Sequence, residues 1–157
     1  MNITHAKTEE VCGDKLEAIF NRQKELMAKY HHIEKRSGLL QTEDCPVNLD
    51  DKRGQARLKD FSWRVIEEVG EALDARDNSM HFCEELIDGL HFLTELTILA
   101  GIEPKDLHSY WVKEGWANED DSDIMEGAFK TMSKFLNQES FSLSDIEGIS
   151  STLKLFL

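Results

Sequence analysis

Four acidic residues occur in two short segments, at a spacing that suits a shared chemical task. Glu68 and Glu71 are three residues apart, and so are Glu85 and Asp88. If both segments are helical, each pair lies on one helix face, because positions i and i+3 point the same way. Acidic pairs at this spacing are usually solvated surface, since charged side chains are seldom buried without a partner. The alternative is that the two faces meet and bind a cation.

The context of the second segment favours the cation. The run 67–73 (EEVGEAL) recurs as 84–90 (EELIDGL), and the apolar residues that follow cover nearly the whole circumference of a helix. A helix of that kind is buried on most sides. Asp88, His91 and Glu95 share one sector of it, where like charges need a neutralising partner. This helix contains no lysine or arginine, so a metal ion is the expected partner. For His91 itself, a role beside the metal ligands and a satisfied core histidine both stay open.

The donor set indicates which metal and which chemistry. Carboxylate oxygens are hard ligands that suit Mg²⁺ or Mn²⁺ and not zinc or copper, and four of them suggest more than one ion. Helical bundles build such sites from acidic side chains of facing helices. Divalent ions would neutralise and orient a polyphosphate and help a water to ionise for in-line attack on phosphorus, with one carboxylate as general base. The pattern favours a magnesium or manganese site suited to hydrolysis of a polyphosphate.

Residues 63–71 (WRVIEEVGE) and 85–92 (ELIDGLHF) resemble the ExxE and ExxD motifs of the all-α NTP pyrophosphohydrolases. That superfamily holds the dimeric dUTPases, the MazG-type enzymes and the phage dCTP/dUTP pyrophosphatases. Residues 20–26 (FNRQKEL) are similar to FxxQxxL in the first helix of the dimeric dUTPases, and the resemblance covers about residues 15–116. It implies hydrolysis of a nucleoside triphosphate, dUTP above others, to the monophosphate and pyrophosphate.

The resemblance also implies roles for individual residues. The magnesium ligands would be Glu68, Glu71, Glu85 and Asp88, and Glu68 would also activate the attacking water. Gln23, an amide on an otherwise apolar stripe, would contact the base; the alternative is a core amide bonded to backbone. The further substrate-binding candidates are Trp63, Lys59, Arg64 and Lys113. Each of these four also has a structural alternative: the tryptophan would pack in the core, and the three cations would be surface charges.

The chain also departs from the dimeric dUTPases. The segment 77–83 (DNSMHFC) lacks their lysines and tryptophan, and 113–120 (KEGWANED) matches their arginine-containing phosphate motif only loosely. A dCTP-preferring enzyme and a broad MazG-like house-cleaning enzyme are therefore alternatives, and the compact acidic form is similar to phage-encoded members. A different class also stays open: a non-enzymatic acidic helical module that binds a protein. That module predicts exposed carboxylates whose removal changes nothing.

Helices must position these residues, and the sequence predicts an all-α bundle whose central antiparallel helix pair carries ExxE and ExxD. Apolar spacing and capping residues predict helices over 15–31, 60–76, 80–100, 104–116 and 127–136, and another that opens at Ser144. Asp60 is the predicted N-cap of the second helix. The stretches 37–57 and 118–123 are predicted loops. The prediction is one domain over 1–157, with a core of about 15–116 and a helical extension over 117–157.

Composition restricts the possible partners. The formal net charge is −13, which repels phosphate backbones and excludes nonspecific binding to DNA or RNA. A nucleotide would have to arrive with divalent cations. The three cysteines show no CxxC spacing and are expected to be reduced intracellular thiols.

Location and assembly follow from the apolar segments. The sequence shows no signal-peptide core and no apolar stretch long enough for a bilayer, so a cytoplasmic protein without a membrane partner is expected. The third helix is apolar around most of its circumference, and one small domain cannot bury all of that surface. The sequence therefore predicts a homodimer or homotetramer.

Overall fold

The computed structural model describes residues 14–107, together with 126, 129–134, 136, 148 and 153. Within these residues every regular element is helical, which confirms the all-α prediction, and no helix is long and apolar enough to cross a membrane. The long helices are α1 (Lys15–Ser37), α2 (Lys52–Asp74) and α3 (Ser79–Leu99). Residues 104–107 are also helical, as are the described residues from 126 onward.

Helix α1 is bounded by two well-defined caps. The Asp14 side chain accepts a hydrogen bond from the backbone N–H of Leu16 at 2.9 Å, which satisfies one of the free donors of the first turn. The helix continues past the predicted end at residue 31, because it ends only where Gly38 adopts the left-handed conformation (φ 75°). Its buried residues are Leu16, Phe20 and Gln23, so the amide lies on the face that packs against the rest of the molecule.

Helix α2 begins eight residues earlier than the sequence indicated, and the prediction of Asp60 as N-cap is wrong. The N-cap is Asp51, and Asp60 lies within the helix. Gly54 had favoured a loop, but it serves close packing: a Cβ at this position would collide with the backbone oxygen of Asn48. The connection between α1 and α2 therefore spans only residues 38–51. It runs against the end of α3, where the Val47 N–H donates to the Leu99 carbonyl at 2.9 Å.

Helix α3 follows α2 after the short turn 75–78, and the two helices pack along each other. Asn78 caps its first turn, with Oδ1 accepting from the His81 N–H at 3.4 Å. The expectation of burial on most sides holds for the second half of the helix, where Leu93, Leu96 and Leu99 are buried. It is wrong for the first half, since Ile87 is 53% exposed.

One hydrophobic core unites the described elements. It contains Phe20 of α1, Phe61 and Val65 of α2, and the buried leucines of α3. Met132 and Leu153 belong to the same cluster, so these residues of the C-terminal part dock on the helices that carry the acidic motifs. The predicted continuation of the fourth helix past 107, the loop 118–123 and the opening at Ser144 lie outside the described residues.

Candidate active site

The packing of α2 on α3 brings three of the four predicted metal ligands together. Each of Glu68, Glu85 and Asp88 offers a carboxylate oxygen that lies within 4.8 Å of those of the other two. Glu85 is buried, Glu68 is half-buried and Asp88 is exposed. The cluster is therefore closed by protein at Glu85 and open to solvent at Asp88.

The pKa of Glu68 reflects its burial and the acidic groups around it. Burial raises the pKa of Glu68 to about 7, and so do its hydrogen bond with Glu85 and the negative charges of Glu71, Asp88 and Glu85. Carboxylates this close do not all ionise at little cost, so the cluster holds either a proton or a cation. In the absence of a cation, the raised pKa of Glu68 favours its protonated form below about pH 7.

Glu71 stands apart from the other three candidates. It is exposed and contributes a negative charge to the surroundings of Glu68, but it is outside the group of mutually close carboxylates. Because it lies three residues after Glu68 on α2, both side chains still leave the same helix face. The structure thus places Glu71 beside the cluster.

A cavity of about 550 Å³ adjoins the carboxylates. Asp88 belongs both to the acidic cluster and to the cavity wall. This volume lies within the range of small-molecule sites. The remaining lining comes from all three long helices and from Leu39 of the connection; it comprises Gln23, Leu26, Met27, Tyr30, Ile33, Glu34, Leu39, Phe61, Arg64, His91, Phe92 and Glu95. The cavity is mainly apolar, with a few polar groups at defined positions.

Gln23 is held in this wall by two side chains of α3. Its Nε2 donates to Glu95 Oε2 at 3.0 Å, and the His91 Nδ1 lies 2.9 Å from its Oε1. An amide oxygen only accepts, so the His91 Nδ1 carries the proton in this contact. The alternative of an amide bonded to backbone is therefore not what the structure shows. The orientation of the amide at the cavity wall is set by both neighbours.

Glu95 has a protein cation beside it, which corrects the expectation of a metal for the whole Asp88–His91–Glu95 sector. Arg57 of α2 is buried; its Nη2 lies 3.3 Å from Glu34 Oε2 and 3.8 Å from Glu95 Oε1. Burial is the main cause that raises the pKa of Glu95 to about 7, and the Glu34 charge raises it further. The hydrogen bond from Gln23 and the charges of Arg57 and Arg64 lower the pKa of Glu95 but do not cancel the effect of burial. The sequence argument failed here because it considered only bases on α3.

Arg64 presents a cation at the cavity wall. Its guanidinium carbon lies 5.5 Å from the ring centroids of both Phe61 and Phe92, and its Nε lies 3.3 Å from Asp60 Oδ2. These contacts hold the guanidinium in place while part of it remains accessible. Its position suits contact with an anionic group of a ligand.

The other substrate-binding candidates lie elsewhere. Trp63 is 51% exposed and is not a lining residue of the cavity; its indole N–H donates to Glu67 Oε1 at 2.8 Å. Lys59 is half-buried and likewise does not line the cavity. Lys113 lies outside the described residues. Of the candidates for substrate contact, the structure brings together Gln23 and Arg64.

Arg57, Glu34 and His81 were missed by sequence reasoning. Arg57 fell in a predicted loop. Had the helix been started at Asp51, the spacing of Arg57, Phe61, Arg64, Glu68 and Glu71 would have placed all five on one face. His81 precedes Glu85 by one helical turn, and its Nδ1 lies 2.9 Å from Glu85 Oε1. That i, i+4 spacing was the available signal for His81. None marked Glu34.

Comparisons of the chain with protein-family models, with curated proteins and with solved structures give no match. The support for a function therefore comes from the carboxylate cluster, the cavity beside it and the resemblance of the two acidic motifs.

Proposed function

We propose that this protein is a magnesium-dependent pyrophosphohydrolase that converts a (deoxy)nucleoside triphosphate, with dUTP as the preferred substrate, to the monophosphate and pyrophosphate. In this proposal α2 and α3 form the central antiparallel pair that carries the site. The observation that carries the proposal is the double position of Asp88, in a three-carboxylate cluster and in the wall of a cavity that also contains Gln23 and Arg64.

The residues of the cluster fit a hard divalent cation. All donors are carboxylate oxygens from Glu68, Glu85 and Asp88, and burial together with the neighbouring carboxyls raises the pKa of Glu68 to about 7. These donors suit Mg²⁺, and Mn²⁺ fits the same set. When bound, such a cation would neutralise polyphosphate charge and acidify a water.

Glu68 is the candidate general base. Glu68 is half-buried and belongs to the carboxylate cluster, so its carboxylate would lie close to a water bound by the cation. The hydrogen bond with Glu85 and the neighbouring carboxylates surround it on the protein side. Glu68 would take the proton of the attacking water, and Glu71 would add negative charge next to it.

The cavity suits the nucleoside. Phe61, Phe92 and Met27 offer apolar wall, and the amide of Gln23 retains one N–H and part of its oxygen for the edge of a base. The guanidinium of Arg64 offers donors to a phosphate. With the phosphates directed towards Asp88, the scissile bond would lie at the open side of the cluster.

The test is release of pyrophosphate from each dNTP and NTP, with and without Mg²⁺. We expect magnesium-dependent release by the wild type and a loss of at least about 100-fold in kcat for Glu68→Gln, because the variant lacks a base and a charged ligand. Glu67→Gln is the matched control: it removes the neighbouring exposed carboxylate of α2 and should retain nearly full activity.

The substrate profile distinguishes the related functions. A preference for dUTP supports the proposal as stated, a preference for dCTP replaces the base, and broad activity indicates a house-cleaning enzyme. Absence of release from every nucleotide, by folded protein at high concentration, would overturn the hydrolase and leave the acidic helical interaction module.

A further inference from the structure

His81 lies at the buried end of the carboxylate cluster. It occupies the first turn of α3, where its backbone N–H is bound by the Asn78 cap at 3.4 Å. Its Nδ1 lies 2.9 Å from Glu85 Oε1 and 3.6 Å from Glu84 Oε2. The imidazole is 53% exposed, whereas the side chain of Glu85 is only 9% exposed. The exposed ring thus contacts the least exposed carboxylate of the cluster.

Glu85 needs such a contact more than its two neighbours do. A buried carboxylate that faces Glu68 and Asp88 has lost water on one side and meets negative charge on the other. An N–H donated to Oε1 satisfies one oxygen and restricts the rotation of the carboxylate. Either the neutral tautomer with a proton on Nδ1 or the imidazolium supplies that N–H.

We propose that His81 is a positioning residue for the metal: it donates to Glu85 Oε1 and thereby holds the Glu85 carboxylate in the orientation in which it binds a cation together with Glu68 and Asp88. This inference rests on the metal site of the proposed function. Mg²⁺ and Mn²⁺ demand well-ordered ligands, and hydrogen bonds to ligating groups from outside the ligand set affect metal affinity strongly.

The experiment measures binding of Mn²⁺ alone to the full-length chain by calorimetry and electron paramagnetic resonance. His81→Ala should weaken Mn²⁺ binding about tenfold, at the lower end of the range for removal of such a partner. His81→Asn should stay within about threefold of wild type, because the asparagine amide nitrogen occupies nearly the position of the histidine Nδ1. His32→Ala removes another exposed histidine, on α1, and should change nothing.

Activity and stability separate positioning from a structural role. At saturating Mn²⁺ the alanine variant should regain wild-type kcat, with only its metal requirement raised. Thermal unfolding without metal should be similar for the alanine and asparagine variants, so a difference in metal affinity between them reports on the N–H donor.

Three results would overturn the inference. Wild-type affinity in His81→Ala, with pyrophosphate release intact in the wild type, would remove the role of His81 and leave the proposed function standing. Nitrogen hyperfine coupling to bound Mn²⁺ would make His81 a direct ligand instead. Absence of Mn²⁺ binding by the wild type would end both the inference and the metal site.

Discussion

At the scale of the residue, the chemistry of Glu68 depends on what surrounds it. An isolated glutamate would be ionised throughout the physiological range, but burial and three nearby carboxylates raise the pKa of Glu68 to about 7. The folded state therefore holds this proton more tightly than the unfolded chain does. In the absence of divalent cations, the free energy of unfolding should decrease as the pH rises from 4.5 towards about 7.

Metal binding should show the opposite dependence on pH. A carboxylate must lose its proton to bind a cation, so the affinity for Mg²⁺ or Mn²⁺ should increase as the pH rises through about 7 and then level off. Calorimetric titration at a series of pH values measures this directly. Glu68→Gln serves as the control, with weaker binding and a flatter dependence on pH. An affinity that stays constant in the wild type between about pH 5 and 8 would contradict the raised pKa of Glu68.

At the scale of the element, α2 determines the geometry of the site. Its first two turns contain the buried Arg57. The turns that follow place Phe61, Arg64 and Glu68 on the same face, where they reach the cavity and the cluster. The close approach of Asn48 at Gly54 is what allows the connection to cross these turns and reach the end of α3.

Two glycines of α2 provide a paired test of this role. Gly54→Ala should destabilise the protein by about 1–3 kcal/mol, because the added Cβ meets the backbone oxygen of Asn48 and the connection must shift. Gly70→Ala is the matched control in the same helix: nothing lies within 4 Å of the added Cβ, so it should stabilise by roughly 0.5–1 kcal/mol. Urea unfolding measures both. Equal stability of the two variants would show that the approach at Asn48 does not constrain the helix.

At the scale of the whole molecule, charge and exposed apolar surface point to its partners. The net charge of −13 opposes a free nucleotide, so in the proposed function divalent cations would be needed for binding as well as for hydrolysis. The first half of α3 leaves Met80 74% exposed and Ile87 53% exposed. Met80 and Ile87 are two helical turns apart, so they lie on one face of α3.

We propose that this part of α3 lies in a contact between copies of the chain, in a homodimer or homotetramer. Size-exclusion chromatography with light scattering should give at least about twice the 18.0 kDa of one chain. Ile87→Asp should shift the population towards the monomer. Asn21→Asp adds the same charge at an exposed position of α1 and should leave the assembly unchanged. A monomeric wild type at high concentration would contradict the proposal.

Much of the secondary structure could be predicted because it depends on near neighbours. The apolar period and the caps placed α3 within one residue at each end, as Ser79–Leu99 against 80–100. The i, i+3 spacing also placed each acidic pair on one face, since helix geometry alone decides that relation. The start of α2 was missed because Gly54 and the acidic residues before it have the composition of a loop, whereas Gly54 lies within the helix and packs against the backbone of Asn48.

Periodicity along the chain predicted that the protein is all-α, that each acidic pair lies on one helix face, and which class of cation such donors would bind. The packing of the helices places Glu85 against Glu68 and Arg57 beside Glu95. It also decided that Gln23 meets a carboxylate 72 residues away at the wall of a cavity. The physical reason is that helical periodicity is set by interactions over one or two turns. Desolvation, ion pairing and raised pKa values instead depend on which faces meet when α1, α2 and α3 pack.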